Sequence, residues 1–359
     1  MDISKVDKNL AAKNIADKPN IEWHNIKEAP FKIYGLYNPE TEPVYRRIPK
    51  EIAEATSENV AILSTNTSGG RFRFSTDSPY IALRCAMPIS YGTNMSQLMK
   101  CGFDLYIDEG EKHTHIGTFR NDIGDTDVYA SYIDIFKTKF PVKMNNYTVN
   151  FPLYNDVYEV EIGIEKGSEL DVGAEYKDIA PFVYYGSSIT QGGCASRPGN
   201  CYQGFISRRF NIDFINLGFS GSALAEDAIV DYMSKLNMSI FISDYDHNAP
   251  NAQHLEKTHY KMYETIRKAN PNLPYIMISK PDVYVNENNN EARREVIKTS
   301  YEKALQNGDK NVYFIDGFTL FNGLNFTDCT VDSCHPNDLG FFRMAQVIGD
   351  KIEEILNKK

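Results

Sequence analysis

At 359 residues the chain has room for two domains of ordinary size, and 42% hydrophobic with 24% charged residues is the balance of a globular protein that can bury sizeable cores. The formal net charge of −10 leaves no basic excess to replace counterions on nucleic acid and no attraction to anionic membrane surfaces. No run approaches the length of a membrane span, so neither nucleic acid nor membrane is an expected partner.

The N-terminus, MDISKVDKNLAAKNIADKPNIEW, has no apolar stretch after a basic start. The expectation is no signal peptide and a cytoplasmic location. Cys85, Cys101, Cys194, Cys201, Cys329 and Cys334 form no C-x-x-C pair, which argues against a zinc knuckle or a thioredoxin-like site. Free thiols are expected, and Cys194 would pair with Cys201 only in an exported protein.

Up to about residue 170 the pattern is strand-like. A short helix is predicted near 44–56. GRFRFSTDSPYIALRCAM gives two alternating runs around the turn Thr76-Asp77-Ser78-Pro79, and GFDLYIDEG gives another. In YEVEIGIEKGSEL, Tyr158, Val160, Ile162 and Ile164 share one face. Short strands with turn signals predict an antiparallel sandwich over residues 1–175. Its many aromatics read as core rather than as a carbohydrate platform.

Over residues 176–359 the rhythm becomes apolar run, loop, helix. The runs PFVYY, DFINL, SIFIS, PYIMIS and NVYFID are free of charge in the middle, as in strands buried on both faces. Helices are predicted near 201–210, 224–236, 251–269, 291–307 and 338–357. The fold class is therefore α/β: a doubly wound, five-stranded parallel sheet behind a sandwich. Function in such a sheet is expected at the carboxyl ends of its strands.

Those ends carry GSSITQGG, NLGFSGSA, SDYDHNAP, SKPD and DGFTLF, followed by TVDSCHPNDLGF. The residue types meet the needs of acyl transfer. A serine hydroxyl needs an imidazole to take its proton, and the imidazole needs a carboxylate to fix its tautomer. Asp332 and His335 stand three apart, close enough on a tight loop for one to orient the other. Gly221 offers an unobstructed backbone N–H and Asn248 a side-chain amide for an oxyanion.

GSSIT, SGSA, DYDHN and DSCHP occur in the order of the four blocks of the SGNH (GDSL-type) hydrolases, which this half resembles. The resemblance implies that Ser188 is the nucleophile, that Asp332 and His335 complete a triad, and that Ser188, Gly221 and Asn248 form the oxyanion hole. Ser187 stands where the family motif usually has Asp, and reads as a local hydrogen-bonding residue. CGFDLYID similarly resembles the Gly-x-Asp-Leu-Tyr motif of a jelly-roll-like β-sandwich found ahead of some of these hydrolases, often described as acetylhydrolases. The implied activity is hydrolysis of short acyl esters, acetyl above all, on a small molecule or oligosaccharide, without a cofactor.

Blander readings compete at each position. Ser188 could cap a helix, Asp332 could cap the last one, and His335 could be structural. His247 is a rival base. Asp244, Asp246 and Asp316 invite a cation, but no ligand spacing demands one, and no metal is expected. Lys280 and Asp282 either line the pocket or cap a strand. Gly192-Gly193 lacks the Gly-Lys-Ser/Thr of a phosphate loop. A lipid or acyl-thioester hydrolase is the rival enzyme, and a carbohydrate-binding module with a decayed site the rival outside enzymes. The sequence does not set the oligomeric state.

Overall fold

The computed structural model describes residues 6–7, 13–88, 90, 93–119, 128–281, 290–321 and 326–358. Asp282 and residues 285–289 lie outside them.

The first half is antiparallel. Its strands are β1 (Ile21–Asn25), β2 (Lys32–Tyr34), β3 (Arg71–Thr76), β4 (Tyr80–Ala86), β5 (Phe103–Glu109), β6 (Lys112–Phe119), β7 (Val128–Asp134), β8 (Asn145–Asn150), β9 (Glu159–Glu165) and β10 (Leu170–Asp171). One sheet runs β1-β9-β4-β7 and the other β10-β3-β8-β5-β6, with β2 paired to β3. Ile81, Leu83 and Ile162 of the first sheet share one core with Phe72, Phe74, Leu105 and Tyr147 of the second. The aromatics are core, as the sequence suggests. The expected helix near 44–56 is two short ones, α1 (Lys50–Thr56) and α2 (Glu58–Leu63), and a third, α3 (Gln97–Cys101), precedes β5.

Alternation in β3 predicts a solvent face, but every residue of that strand is buried. Its polar side packs on the second half. Arg71 donates to the Phe214 carbonyl at 3.0 Å and pairs with Asp213, and Arg73 reaches Asn211 Oδ1 at 3.1 Å. Arg47, 1% exposed, donates to the Asn216 carbonyl at 3.1 Å. A buried guanidinium is tolerated where several carbonyls accept from it.

The second half alternates strand and helix: β11 (Phe182–Gly186), α4 (Ser188–Gln191), α5 (Tyr202–Phe210), β12 (Phe214–Gly218), α6 (Asp227–Ser234), β13 (Ile240–Asp244), α7 (Ala252–Ala269), β14 (Tyr275–Ile278), α8 (Asn290–Gln306), β15 (Val312–Ile315) and α9 (Asp338–Leu356). The five strands are parallel, in the order β12-β11-β13-β14-β15. Successive side chains of β11 enter different cores. Val183 and Tyr185 join Ile229, Met262 and Ile266 from α6 and α7. Phe182 and Tyr184 join Ile206, Phe341 and Ile348 from α5 and α9. That two-sided burial is why the strands read as unbroken apolar runs. From β11 the chain moves outward to β12 on one side, and from β13 it moves to β14 on the other, so the order reverses between β11 and β13, the place where such sheets hold their ligands.

Candidate active site

β11 ends in Gly186, and a Cβ there would lie 2.2 Å from the Asp244 carbonyl, so only glycine lets the chain turn sharply at this point. The Ser187 hydroxyl accepts from Ile189 N at 3.2 Å. Ser187 is thus the cap of α4, and Ser188 is its first residue. The capping role belongs to the neighbour, as the reading of Ser187 anticipates.

Ser188 is 9% exposed, and its Oγ lies 2.9 Å from His335 Nε2. His335 Nδ1 lies 2.8 Å from Asp332 Oδ2. The other carboxylate oxygen, Oδ1, accepts from His335 N at 2.7 Å and Cys334 N at 3.2 Å. Burial raises the Asp332 carboxyl, but these bonds from His335 and Cys334 outweigh it and hold the group below the ordinary carboxylate range. Asp332 does not cap α9; Asn337 does, accepting from Gly340 N at 3.1 Å.

The turn after β12 carries Gly221 at φ +67, with open space where a Cβ would project. One N–H of the Asn248 amide donates to the Phe219 carbonyl at 2.8 Å. That bond ties Asn248 to the same turn, and an amide NH2 has a second donor for a ligand.

His247 sits beside this constellation with its Nδ1 3.9 Å from Cys334 Sγ, while the serine oxygen faces His335. Burial first, then the charges of Lys280, His335 and Arg293, push its imidazole well below the usual histidine range, so it stands neutral. Lys280 is buried, and its backbone N–H donates to Asp246 Oδ2 at 3.0 Å. Asp316 is engaged by Arg294, whose Nε lies 2.8 Å from Oδ1, which makes it a poor cation ligand. All six cysteines are free thiols.

Three contributors escaped the sequence reading. Tyr154, after β8, donates its hydroxyl to the Ser188 carbonyl at 3.0 Å. Asn94 Nδ2 donates to Asp332 Oδ2 at 2.5 Å. Gln191, fully buried, receives Ser220 N at 3.0 Å and donates to Leu153 O and Asn66 Oδ1, each at 3.2 Å. Tyr154, Asn94, Leu153 and Asn66 all come from the sandwich half. No periodicity or local motif marks them, because each acts across more than 30 residues of sequence.

Residues 179–353 match the profile of the GDSL-like Lipase/Acylhydrolase family. Residues 21–170 match a second profile, the N-terminus of Esterase_SGNH_hydro-type. No curated protein matches the chain. A solved structure from Bacteroides ovatus, described as a GDSL-like lipase, superposes with a TM-score of 0.83 at 28% identity, over 94% of this chain and 98% of that one. A salicylyl-acyltransferase of a tetracycline biosynthetic pathway gives 0.75 at 17% identity, over 94% and 98%. An acetyl xylan esterase from the rumen bacterium Butyrivibrio proteoclasticus gives 0.58 at 13% identity, over 94% and 99%. At those lower identities the likeness is one of fold.

Proposed function

The chain belongs to the GDSL-like lipase/acylhydrolase family through residues 179–353, behind an SGNH-esterase N-terminal part, and from that premise we propose a serine esterase that removes short acyl groups, acetyl first, from carbohydrate. The observation that carries the reading is the hydrogen-bonded series Ser188 Oγ, His335 Nε2, His335 Nδ1, Asp332 Oδ2, at 2.9 and 2.8 Å.

In this reading Ser188 Oγ attacks the ester carbonyl while His335 Nε2 takes its proton. Asp332 holds the Nδ1–H and stabilises the imidazolium. The tetrahedral oxyanion is held by the N–H groups of Ser188 and Gly221 and by the Asn248 amide. The first-turn N–H of α4 has no intrahelical acceptor and is available for this. The protonated imidazole returns its proton to the leaving alcohol, and water, activated by the same imidazole, releases the acyl group. No step calls for a metal or cofactor.

The relay itself is closely packed: Tyr154 touches the Ser188 carbonyl, and a Cβ on Gly193 would come within 3.3 Å of the His335 ring. Support for carbohydrate is the shared architecture with the acetyl xylan esterase and with a cellohexaose-bound family two carbohydrate esterase of Clostridium thermocellum.

The test is hydrolysis of p-nitrophenyl acetate and octanoate by wild type and Ser188→Ala. The expected result is fast acetate cleavage, slow octanoate cleavage and an inactive variant, followed by release of acetate from acetylated oligosaccharides. Preferential octanoate cleavage, or an active Ser188→Ala protein, would overturn the proposal.

A further inference from the structure

The reacting groups have a neighbour that a serine relay does not use. Cys194 follows Gly192 and Gly193, is 7% exposed, and adopts φ +74. That left-handed conformation favours glycine, and a residue with a Cβ is strained there. Glycine at 194 would relieve the strain, so the position holds a thiol against the preference of its own backbone.

The thiol has company. One ligand atom each from Cys194, Asp332 and His335 all lie within 4.8 Å of one another. The Asn94 carbonyl oxygen is 4.0 Å from Cys194 Sγ. Sulfur, imidazole nitrogen and carboxylate oxygen are the donors that Zn2+ takes in tetrahedral sites, at roughly 2.0–2.3 Å each. Ligands of one such ion stand about 3.3–3.8 Å apart, so small side-chain rotations from the observed positions close the shell. Mg2+ and Ca2+, which take oxygen shells, gain nothing from the thiol.

We propose that Cys194, Asp332 and His335 form an inhibitory site for a soft divalent cation, Zn2+ in the first instance, with the Asn94 carbonyl as a fourth donor. The inhibitory consequence rests on the relay proposed above; the binding itself does not. The cation takes His335 through Nδ1, the nitrogen that faces Asp332. The imidazole proton then resides on Nε2, and the lone pair that would receive the Ser188 proton is gone. Cys194 binds as thiolate and releases one proton to solvent. Asp332 turns from orienting the imidazole to ligating the cation. The site is thereby closed to acyl transfer while the cation is bound and reopens when a chelator removes it.

The experiment has two readouts on the full-length protein. Zn2+ is titrated into p-nitrophenyl acetate hydrolysis, with Mg2+ and EDTA as controls, and Zn2+ binding is measured separately by equilibrium dialysis on the Ser188→Ala protein. The expected result is one Zn2+ bound per chain, loss of hydrolysis at micromolar Zn2+, recovery with EDTA and no effect of Mg2+. Cys194→Gly, the residue the backbone favours, and Cys194→Ala should each keep metal-free hydrolysis within about threefold of wild type. Both should weaken inhibition and binding at least tenfold. Unchanged Zn2+ binding in both variants would overturn the site. If no ester is hydrolysed at all, the relay reading fails, while dialysis still decides whether the three residues bind the cation.

Discussion

The Tyr154 hydroxyl donates to the backbone carbonyl of Ser188 across 3.0 Å, so a residue of the sandwich half holds the turn that presents the proposed nucleophile. The same carbonyl accepts from Gly193 N at 2.8 Å and Gly192 N at 3.1 Å. Tyr154 therefore adds one bond to a turn that is already closed, and it touches no reacting atom. Tyr154→Phe removes that bond and leaves the ring. A hydrogen bond of about 1 kcal/mol corresponds to a few-fold change in rate. The expected outcome in steady-state kinetics is a kcat lower by about three- to tenfold, with KM within twofold and a melting temperature lower by only a few degrees. A variant with wild-type kcat would show that the bond only packs the interface.

Asp332 is held from two sides, by backbone N–H groups on Oδ1 and by Asn94 and His335 on Oδ2. In the proposed relay, replacing the carboxylate with an amide removes the charge that would support the imidazolium and favours the wrong tautomer. Asp332→Asn should lower kcat by about 10³–10⁴, as in other relays of this type. Asn94→Ala should have a far smaller effect, about tenfold at most, because the bonds to Oδ1 still orient the carboxylate. Equal losses in the two variants would mean that Asn94 does more than steady Asp332.

The contrast between Asp332 and Asn94 marks what the sequence discloses. Asp332 and His335 are three residues apart, and Ser188 follows a strand and precedes a glycine pair. Local spacing carries that information, and so do the charge-free strands, whose two-sided burial leaves an unbroken apolar signature. Asn94 meets Asp332 across 238 positions, and nothing near either residue announces the meeting. The polar face of β3 misleads for the same reason. Arg71 and Arg73 look solvent-facing by alternation, yet they are buried against carbonyls and side chains supplied by residues 211–214. Contacts between halves of a chain are set by assembled surfaces, which a one-dimensional pattern does not encode.

Gly193 shows how little room surrounds the imidazole. A Cβ at that position would lie 3.0 Å from Tyr154 Oη, 3.1 Å from the Ser188 carbonyl oxygen and 3.3 Å from His335 Cδ2. Its φ is not in the left-handed region, so the objection to alanine is steric. The groups that must yield belong to the site itself. Contacts of 3.0–3.3 Å ask the neighbours to give by a few tenths of an ångström, short of the displacement of about 1 Å that costs roughly 10² in rate, and overpacking of this kind destabilises by about 1–3 kcal/mol. Gly193→Ala should therefore fold, melt a few degrees lower and lose about tenfold in kcat. Circular dichroism alongside kinetics separates that outcome from simple unfolding.

Far from the site, Asp134 at the end of β7 gathers three lysines: Lys13 at 3.1 Å, Lys18 at 2.9 Å and Lys137 at 3.0 Å, with its own side chain 1% exposed. Burial raises its carboxyl, but the hydrogen bonds from Lys18, Lys137 and Lys13 win and hold it at about 2, against 3.8 for a free side chain. Because the folded value is the lower one, the unfolded chain binds the proton more readily. The stabilisation is complete above the unfolded value and is lost as pH falls from about 4 toward 2. Asp134→Asn removes it at every pH. The gap in melting temperature between wild type and variant should be constant from pH 7 to pH 5 and narrow steadily as the pH is taken to 3. A gap that stayed constant down to pH 3 would show that the lysine cluster does not depress this carboxyl.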